Sequence, residues 1–352
     1  MKRLLSFAAA LAIGLSTITG ASAEPKKEFN IAWTIYVGWM PWPYAAEAGI
    51  VKKWADKYGI TINVTQINDY VESINQYTAG KFDGVTVTNM DALTIPAAGG
   101  VDTTAIIMGD YSNGNDGVVL KKGKTLADIK GQKVNLVELS VSHYLLARGL
   151  STVKLQEKDI KTVNTSDADI VAAAKSADTT AVVTWNPQLL EVKAEPNATL
   201  VFDSSKIPGE IEDLLVIKTE TLKDNPNLAK ALVGIWYETI TLMKDQSDKG
   251  KAAREAMAKL SGTDLAGFET QLKTTAMYYT PKDGAAFMTG PELPKIMDQV
   301  RGFCFEHNLL GEKVKSKDAV GIMTPTKTLG SDKNIKLRFD ASYMKLAAEG
   351  KL

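Results

Sequence analysis

The 352-residue chain carries 41 basic and 41 acidic side chains, 45% hydrophobic residues and a single cysteine. That length accommodates two domains of ordinary size. The even charge balance leaves no basic excess for nucleic acid or an anionic membrane surface, and the lone Cys304 excludes an internal disulfide.

The chain opens with Lys2 and Arg3, runs apolar from Leu4 to Leu15, and reaches Ala21-Ser22-Ala23 just before Glu24-Pro25. A basic start, a short apolar stretch and an A-x-A end are the parts of a secretory signal peptide, with cleavage expected after Ala23. The apolar run is shorter than the roughly 20 residues that span a bilayer. The rest of the chain is expected in the periplasm, exported and not itself membrane-spanning.

Strands and helices then alternate. Phe29 to Ile35 reads as a strand, followed by the aromatic turn Tyr-Val-Gly-Trp-Met-Pro-Trp-Pro, whose Gly38, Pro41 and Pro43 break both strand and helix patterns. Ala45 to Tyr58 has apolar residues at helical spacing and stops at Gly59. Ile60 to Ile67 alternates like a strand, Tyr70 to Ala79 reads as a helix, Gly84 to Val87 as a strand, Met90 to Ala98 as a helix and Thr103 to Met108 as a strand. A second set follows: Gly117 to Leu120, Lys133 to Leu136 and Ala181 to Thr184 as strands, Ser142 to Leu150 as a helix, and Asp213 to Ile217 as a return strand. From Asn227 onward the pattern is mainly helical. Such alternation implies mostly parallel sheets covered by helices.

Several segments, in order, carry a resemblance. "YAAEAGIVKKWADKYGITINV", "AGKFDGVTVTNMDAL", "PAAGGVDTTAI", "LADIKGQKVNL" with "ELSVSHYLLARGL", and "AVVTWNPQLLEV" together resemble the nitrate/sulfonate/taurine-type periplasmic substrate-binding proteins of ABC transporters. Within that family, "YVGWMPWPYA", "QINDYVESINQYTAGKFDG", "TNMDALTIPAAGGVD" and "SNGNDG" resemble the urea carboxylase-associated branch, linked to urea and guanidine. The resemblance implies an α/β, two-lobed periplasmic-binding-protein fold (type II-like), each lobe a mostly parallel sheet flanked by helices, with the ligand in the cleft between them. Lobe 1 would comprise 24–115 and 218–352, and lobe 2 would comprise 116–217. Implied partners are a small-molecule solute and the permease and ATPase subunits of an importer. A monomer without cofactor or metal is expected.

Ligands of open α/β sheets sit beyond the C-terminal strand ends, which selects the candidate site. Tyr36, Trp39 and Trp42 follow the first strand, as an aromatic wall for a flat or cationic solute or as a plug between lobes. Asp69 follows the second, as a ligand contact or a helix N-cap. Asn89 and Asp91 follow the third with the same ambiguity, and Asp91 opposes any anion at that helix start. Asp110 to Asp116, with Ser112, Asn113 and Asn115, reads as hinge and turn, with one or two residues, Asn113 the candidate, reaching the cleft. In the second lobe Glu138, Ser140, His143 and Trp185 follow strands, with His143 a cap, core residue or ligand contact. Asp213 precedes the return strand.

No lysine or arginine occurs in these loop motifs. Aromatic rings, carboxylates and amides without a fixed cation suit a donor-rich solute: guanidinium first, urea second, another small amide or amine third. The alternatives are an anion binder of the same family and, from another class, an enzyme like the pyrimidine-precursor synthases that share this fold. Against an enzyme stand two histidines, one cysteine and the lack of a phosphate loop, a nucleophile elbow or a zinc motif. Cys304, between two phenylalanines, is expected in the core.

Overall fold

The computed structural model describes residues 26–311 and 313–352. The expected signal peptide, 1–23, and its cleavage site lie outside the described residues.

Two sheets form the frame. The larger has nine strands: β1 (Glu28–Trp33), β2 (Thr61–Gln66), β3 (Gly84–Thr88), β4 (Thr103–Ser112) and later members defined below. The smaller has five: β5 (Asp116–Leu120), β6 (Lys133–Leu136), β7 (Lys161–Asn164), β8 (Ala181–Trp185) and β9 (Thr199–Asp203), in the order β7-β6-β8-β5-β9. The chain then returns to the larger sheet with β10 (Glu212–Lys218), β11 (Thr275–Met277), β12 (Gly321–Met323), β13 (Thr328–Leu329) and β14 (Ile335–Phe339). Its order is β13-β12-β14-β4-β10-β3-β1-β2, with β11 on β4. All five residues of β3 are buried, as are those of β5 and β8. This is the apolar-run signature of strands covered on both faces.

The helices of the first segment are α1 (Pro41–Glu47), α2 (Ile50–Tyr58), α3 (Tyr70–Thr78) and α4 (Asn89–Ala92). α3 buries Tyr70, Ser73, Ile74 and Tyr77, an i, i+3, i+4, i+7 stripe. The smaller sheet carries α5 (Val141–Thr152), α6 (Ile170–Lys175) and α7 (Gln188–Lys193). After β10 come α8 (Thr219–Asp224), the long α9 (Pro226–Lys244), α10 (Asp248–Leu260), α11 (Leu265–Leu272), α12 (Pro281–Met288), α13 (Glu292–Glu306) and α14 (Ser342–Ala348). Cys304 on α13 is fully buried and burial pushes its thiol pKa up. Among the described residues no helix is long and apolar enough to cross a membrane.

Four expectations are corrected. The sheets are mixed rather than mostly parallel: β10 runs antiparallel to both β3 and β4, and β5 antiparallel to both β8 and β9. The chain leaves the larger sheet after Ser112 and is back in it by Glu212, so β10 belongs to lobe 1, not to 116–217. The region after Asn227 is mainly helical, as expected, with four short strands among its helices. The aromatic segment does form a helix: a 3-10 turn at Val37–Trp39 leads into α1, whose first residue is Pro41. Proline is compatible with a first turn because the N–H it lacks has no partner there anyway. The same missing N–H at Pro96 turns the end of the expected Met90–Ala98 helix into a π-helical turn, Leu93–Ala97.

The two crossings between sheets, 113–115 and 204–211, lie side by side. Ser112 Oγ and Ser204 Oγ are 2.6 Å apart, and Gly114 N donates to Ser204 Oγ at 2.8 Å. The two connections are thus bonded to each other where the chain passes between the sheets. The core of the larger lobe leaves no slack at Gly84, where an added Cβ would lie 2.2 Å from Ile217 Cδ1 and 2.9 Å from the Val216 carbonyl oxygen. Gly84→Ala is therefore expected to cost about 1–3 kcal/mol of unfolding free energy by overpacking, measured by denaturant titration.

Candidate functional site

Between the two sheets lies a small cavity of about 20 Å³, little more than the ~10–15 Å³ that a single water needs. Its lining comes from both lobes: Tyr36, Trp39, Tyr70, Thr88, Ile211 and Asp213 from the larger lobe and its return crossing, and Asp116, Val141 and Trp185 from the smaller. Each stands at a strand end or at the turn that follows one.

Four rings form a continuous wall. Tyr36 and Trp39 meet edge to face at 5.0 Å between centroids, Trp39 and Tyr70 lie 5.9 Å apart, and Tyr70 meets Trp185 edge to face at 5.5 Å. The last contact joins the lobes. Tyr36 is brought in by the 3-10 turn at Gly38, where a Cβ would clash with the Tyr36 ring and the Asp110 carboxylate at 2.4 and 2.6 Å.

The electrostatics are one-sided. Asp116 and Asp213 line the cavity; Asp110, Asp91 and Glu212 are buried around it. The strand register explains the crowding, because Asp213 on β10 pairs with Asp110 on β4 and with Thr88 on β3. Burial raises Asp110 to about 7, with Asp116 adding repulsion. Burial, with Asp91 adding to it, raises Asp116 to about 7. Asp91 is raised to about 6 by burial. Asp213 stands well above the carboxylate range through burial and the charges of Asp110 and Asp116, and so does Glu212 through burial and Asp110. Asp110 and Asp213 interact closely enough to titrate as a pair. Among the described residues, no lysine or arginine lines the cavity.

The hydroxyl protons around the cavity are already committed. Tyr36 donates to Asp110 at 2.7 Å, Tyr70 to Asp91 at 2.8 Å and Thr88 to Asp91 at 3.0 Å. Ser112 donates to Asp116. Burial foremost, then the adjacent carboxylates, raises the Tyr36 and Tyr70 phenols, so both remain neutral donors. One oxygen each of Asp91 and Asp110 is buried without a hydrogen-bond partner.

Of the twelve residues expected from sequence, the structure brings Tyr36, Trp39, Trp185 and Asp213 to the cavity. Asp91 stands one layer behind, under Tyr70 and Thr88. Trp42 packs on Trp236 at 5.4 Å and is absent from the cavity lining; with Trp39, Trp236 and Asp213 it borders a second, smaller pocket. Asp69 is the N-cap of α3, accepting from Glu72 N, and Ser140 caps α5 through Ser142 N. Asn89 spends its amide on Glu210 O and Glu212 N, tying the return crossing to β3. Asn113 is exposed in the first crossing, and Glu138 is half-buried with its N–H on Asn164 Oδ1.

His143 points away from the cavity. Its Nδ1 accepts from Leu139 N and its Nε2 lies 3.0 Å from Glu157 Oε1, which also faces His307 Nε2 at 3.0 Å. The residues that sequence reasoning missed are Tyr70, Thr88, Asp116, Val141 and Ile211, with Asp110 behind. Asp110 and Asp116 were visible as the ends of the supposed hinge turn. Their role was hidden because β4 runs on to Ser112 and carries Asp110 into the sheet.

The profile of the NMT1/THI5-like family matches residues 45–248. A Brucella abortus (strain 2308) protein named as a candidate binding protein is 24% identical over 186 residues, 52% of this chain and 56% of its own length. A Brucella suis biovar 1 counterpart matches to the same extent, so the chain spans about half the length of the curated relatives it matches. Among solved structures, the alkanesulfonate-binding protein SsuA of Xanthomonas axonopodis pv. citri, bound to MOPS, is similar with a TM-score of 0.69 and 16% identity over 83% of this chain and 97% of that one. The periplasmic aliphatic sulphonate-binding protein SsuA of Escherichia coli gives 0.65 and 18% over 82% and 95%. The periplasmic nitrate-binding protein NrtA of Synechocystis PCC 6803 gives 0.58 and 14% over 79% and 86%. These likenesses establish the two-lobed α/β fold of periplasmic binding proteins.

The raised carboxylates set a pH dependence of stability. A folded-state pKa above the ordinary 3.8 means that the folded form holds protons the unfolded form has released, so the stabilisation is complete below about pH 4 and is lost as pH rises through 6 to 7. His307, raised mainly by its bond to Glu157, acts in the same direction. The ligand-free protein is expected to melt at a lower temperature at pH 8 than at pH 5, and Asp213→Asn to flatten that slope, both read by calorimetry or thermal CD.

Proposed function

The chain belongs to the NMT1/THI5-like family, and from that premise we propose that it is the periplasmic solute-binding component of an ABC importer, capturing a small donor-rich cation of the guanidinium type. It closes on one solute molecule between its lobes and presents it, as a monomer without cofactor, to the importer's permease and ATPase subunits. The urea carboxylase-associated branch of the nitrate/sulfonate/taurine-type binders is the part of the wider group to which this reading assigns it.

The carrying observation is the cluster of buried carboxylates, two of them lining an aromatic cavity, with no basic side chain against them. Buried charge is tolerated when paired, and a solute cation supplies the missing partner. Guanidinium is flat, stacks on aromatic faces and offers N–H groups matched to carboxylate oxygens. Urea has the shape and the donors but no charge, so it gains less from a carboxylate than a cation does. The structural relatives named for sulfonate and nitrate bind anions, for which this cavity offers no basic side chain as a charge partner among the described residues.

Titration calorimetry with guanidinium, urea, nitrate and taurine tests this. Guanidinium is expected to bind most tightly, and Asp116→Asn or Asp213→Asn to cost about 2–5 kcal/mol of that binding. Trp39→Ala is expected to cost about 2 kcal/mol through the lost cation–π face. Binding confined to nitrate or taurine overturns the cation reading, and turnover of a bound solute returns the enzyme alternative.

A further inference from the structure

Two hydrogen bonds between the lobes mirror each other. On the larger lobe, α3 begins at Tyr70, and the Tyr70 N–H donates not to its own lobe but to Asp167 Oδ1 of the smaller lobe at 3.0 Å. On the smaller lobe, α5 begins at Val141, and the Val141 N–H donates to Asp91 Oδ2 of the larger lobe at 3.3 Å. Each helix satisfies another first-turn donor from within its own lobe: Asp69 accepts from Glu72 N at 2.8 Å, and Ser140 Oγ from Ser142 N at 3.2 Å. In both helices the very first amide is the one left for the opposite lobe.

We infer that Asp167 and Asp91 form a reciprocal latch that holds the lobes closed, each carboxylate capping a helix that the other lobe supplies. The inference rests on the solute-binding reading, because only a protein that opens and closes has use for it. The physical reason is direct. The positive end of a helix favours a carboxylate, and a first-turn N–H has no intrahelical acceptor, so each bond forms at closure and reverts to water on opening.

Tyr70 makes the latch report on the cavity. Its N–H takes Asp167, its hydroxyl holds Asp91 at 2.8 Å, and its ring meets Trp185 of the smaller lobe. Closing the latch therefore completes the aromatic wall. Asp167 is 2% exposed and absent from the cavity lining. It is a positioning residue, acting on the solute only through the closed state, and so on release more than on capture.

Stopped-flow tryptophan fluorescence with guanidinium, together with small-angle scattering of the ligand-free protein, tests the latch. Asp167→Asn keeps the shape and removes the charge. It is expected to speed release about five-fold, the difference between a charged and a neutral hydrogen bond, because the Asn amide oxygen still accepts from Tyr70 N–H, to leave association nearly unchanged, and to enlarge the radius of gyration. Asp264→Ala removes a cap of the same kind from α11, where Asp264 accepts from Gly267 N within its own lobe. It is expected to lower the melting temperature without affecting release. Unchanged release and radius of gyration in Asp167→Asn, or equal acceleration in Asp264→Ala, would overturn the latch. If guanidinium fails to bind the parent protein, the solute proposal fails while scattering still decides the latch.

Discussion

Acidic side chains gathered between two lobes, with no basic side chain lining their cavity among the described residues, are the constraint on which the rest depends. Five carboxylates, Asp91, Asp110, Asp116, Glu212 and Asp213, are buried around one small cavity. Burying a single unpaired carboxylate costs several kcal/mol, and neighbours of like sign add to that. The chain offsets part of it with hydroxyl donors from Tyr36, Tyr70, Thr88 and Ser112, and part by holding protons that exposed carboxylates would have lost. A bound cation would release those protons and supply the attraction that the protein itself withholds. Binding-site strain of this kind is stored against the event it serves.

The fold places that charge by inserting one antiparallel strand. β10 runs back through the larger sheet between β3 and β4, so its first residues emerge where its neighbours end. Thr88 at the end of β3, Asp110 near the end of β4 and Asp213 at the start of β10 thus share one edge. The smaller lobe contributes through the same logic in reverse: Asp116 at the start of β5 pairs with Trp185 at the end of β8. The contact between Ser112 and Ser204 sits beside Asp116, whose carboxylate takes the Ser112 proton.

Much of this was legible in the sequence, because periodicity and glycine stops report local structure well. The strands Gly84–Thr88 and Lys133–Leu136 and the helix Tyr70–Thr78 stand where the pattern put them, within a residue or so. Strand direction was not legible: the apolar run Leu214 to Ile217 reads the same whether its neighbours are parallel or antiparallel, and its sheet partners are some 100 residues away in sequence. The site followed the same division. Trp39, Trp185 and Asp213 were visible as residues just beyond apolar runs. Asp69, Ser140 and Asn89 were visible for the same reason, yet their side chains satisfy backbone groups at helix starts and the return crossing. Sequence spacing does not separate a polar residue that serves the backbone from one that faces a cleft. Trp42 shows the complementary limit, since it lies near Trp39 yet stacks on Trp236 of α9, a partner far away in sequence, outside the cavity lining.

The central claim is that a cation completes a carboxylate cluster which otherwise retains protons. Its most direct measurement is the proton balance of binding, obtained by calorimetry of guanidinium at pH 6.5 to 7 in buffers of different ionisation enthalpy. The account expects net release of protons on binding, with affinity rising as pH rises through the values near 6 to 7 that Asp91, Asp110 and Asp116 take in the ligand-free protein. Binding with no proton release, or with proton uptake and affinity that falls as pH rises, would contradict it.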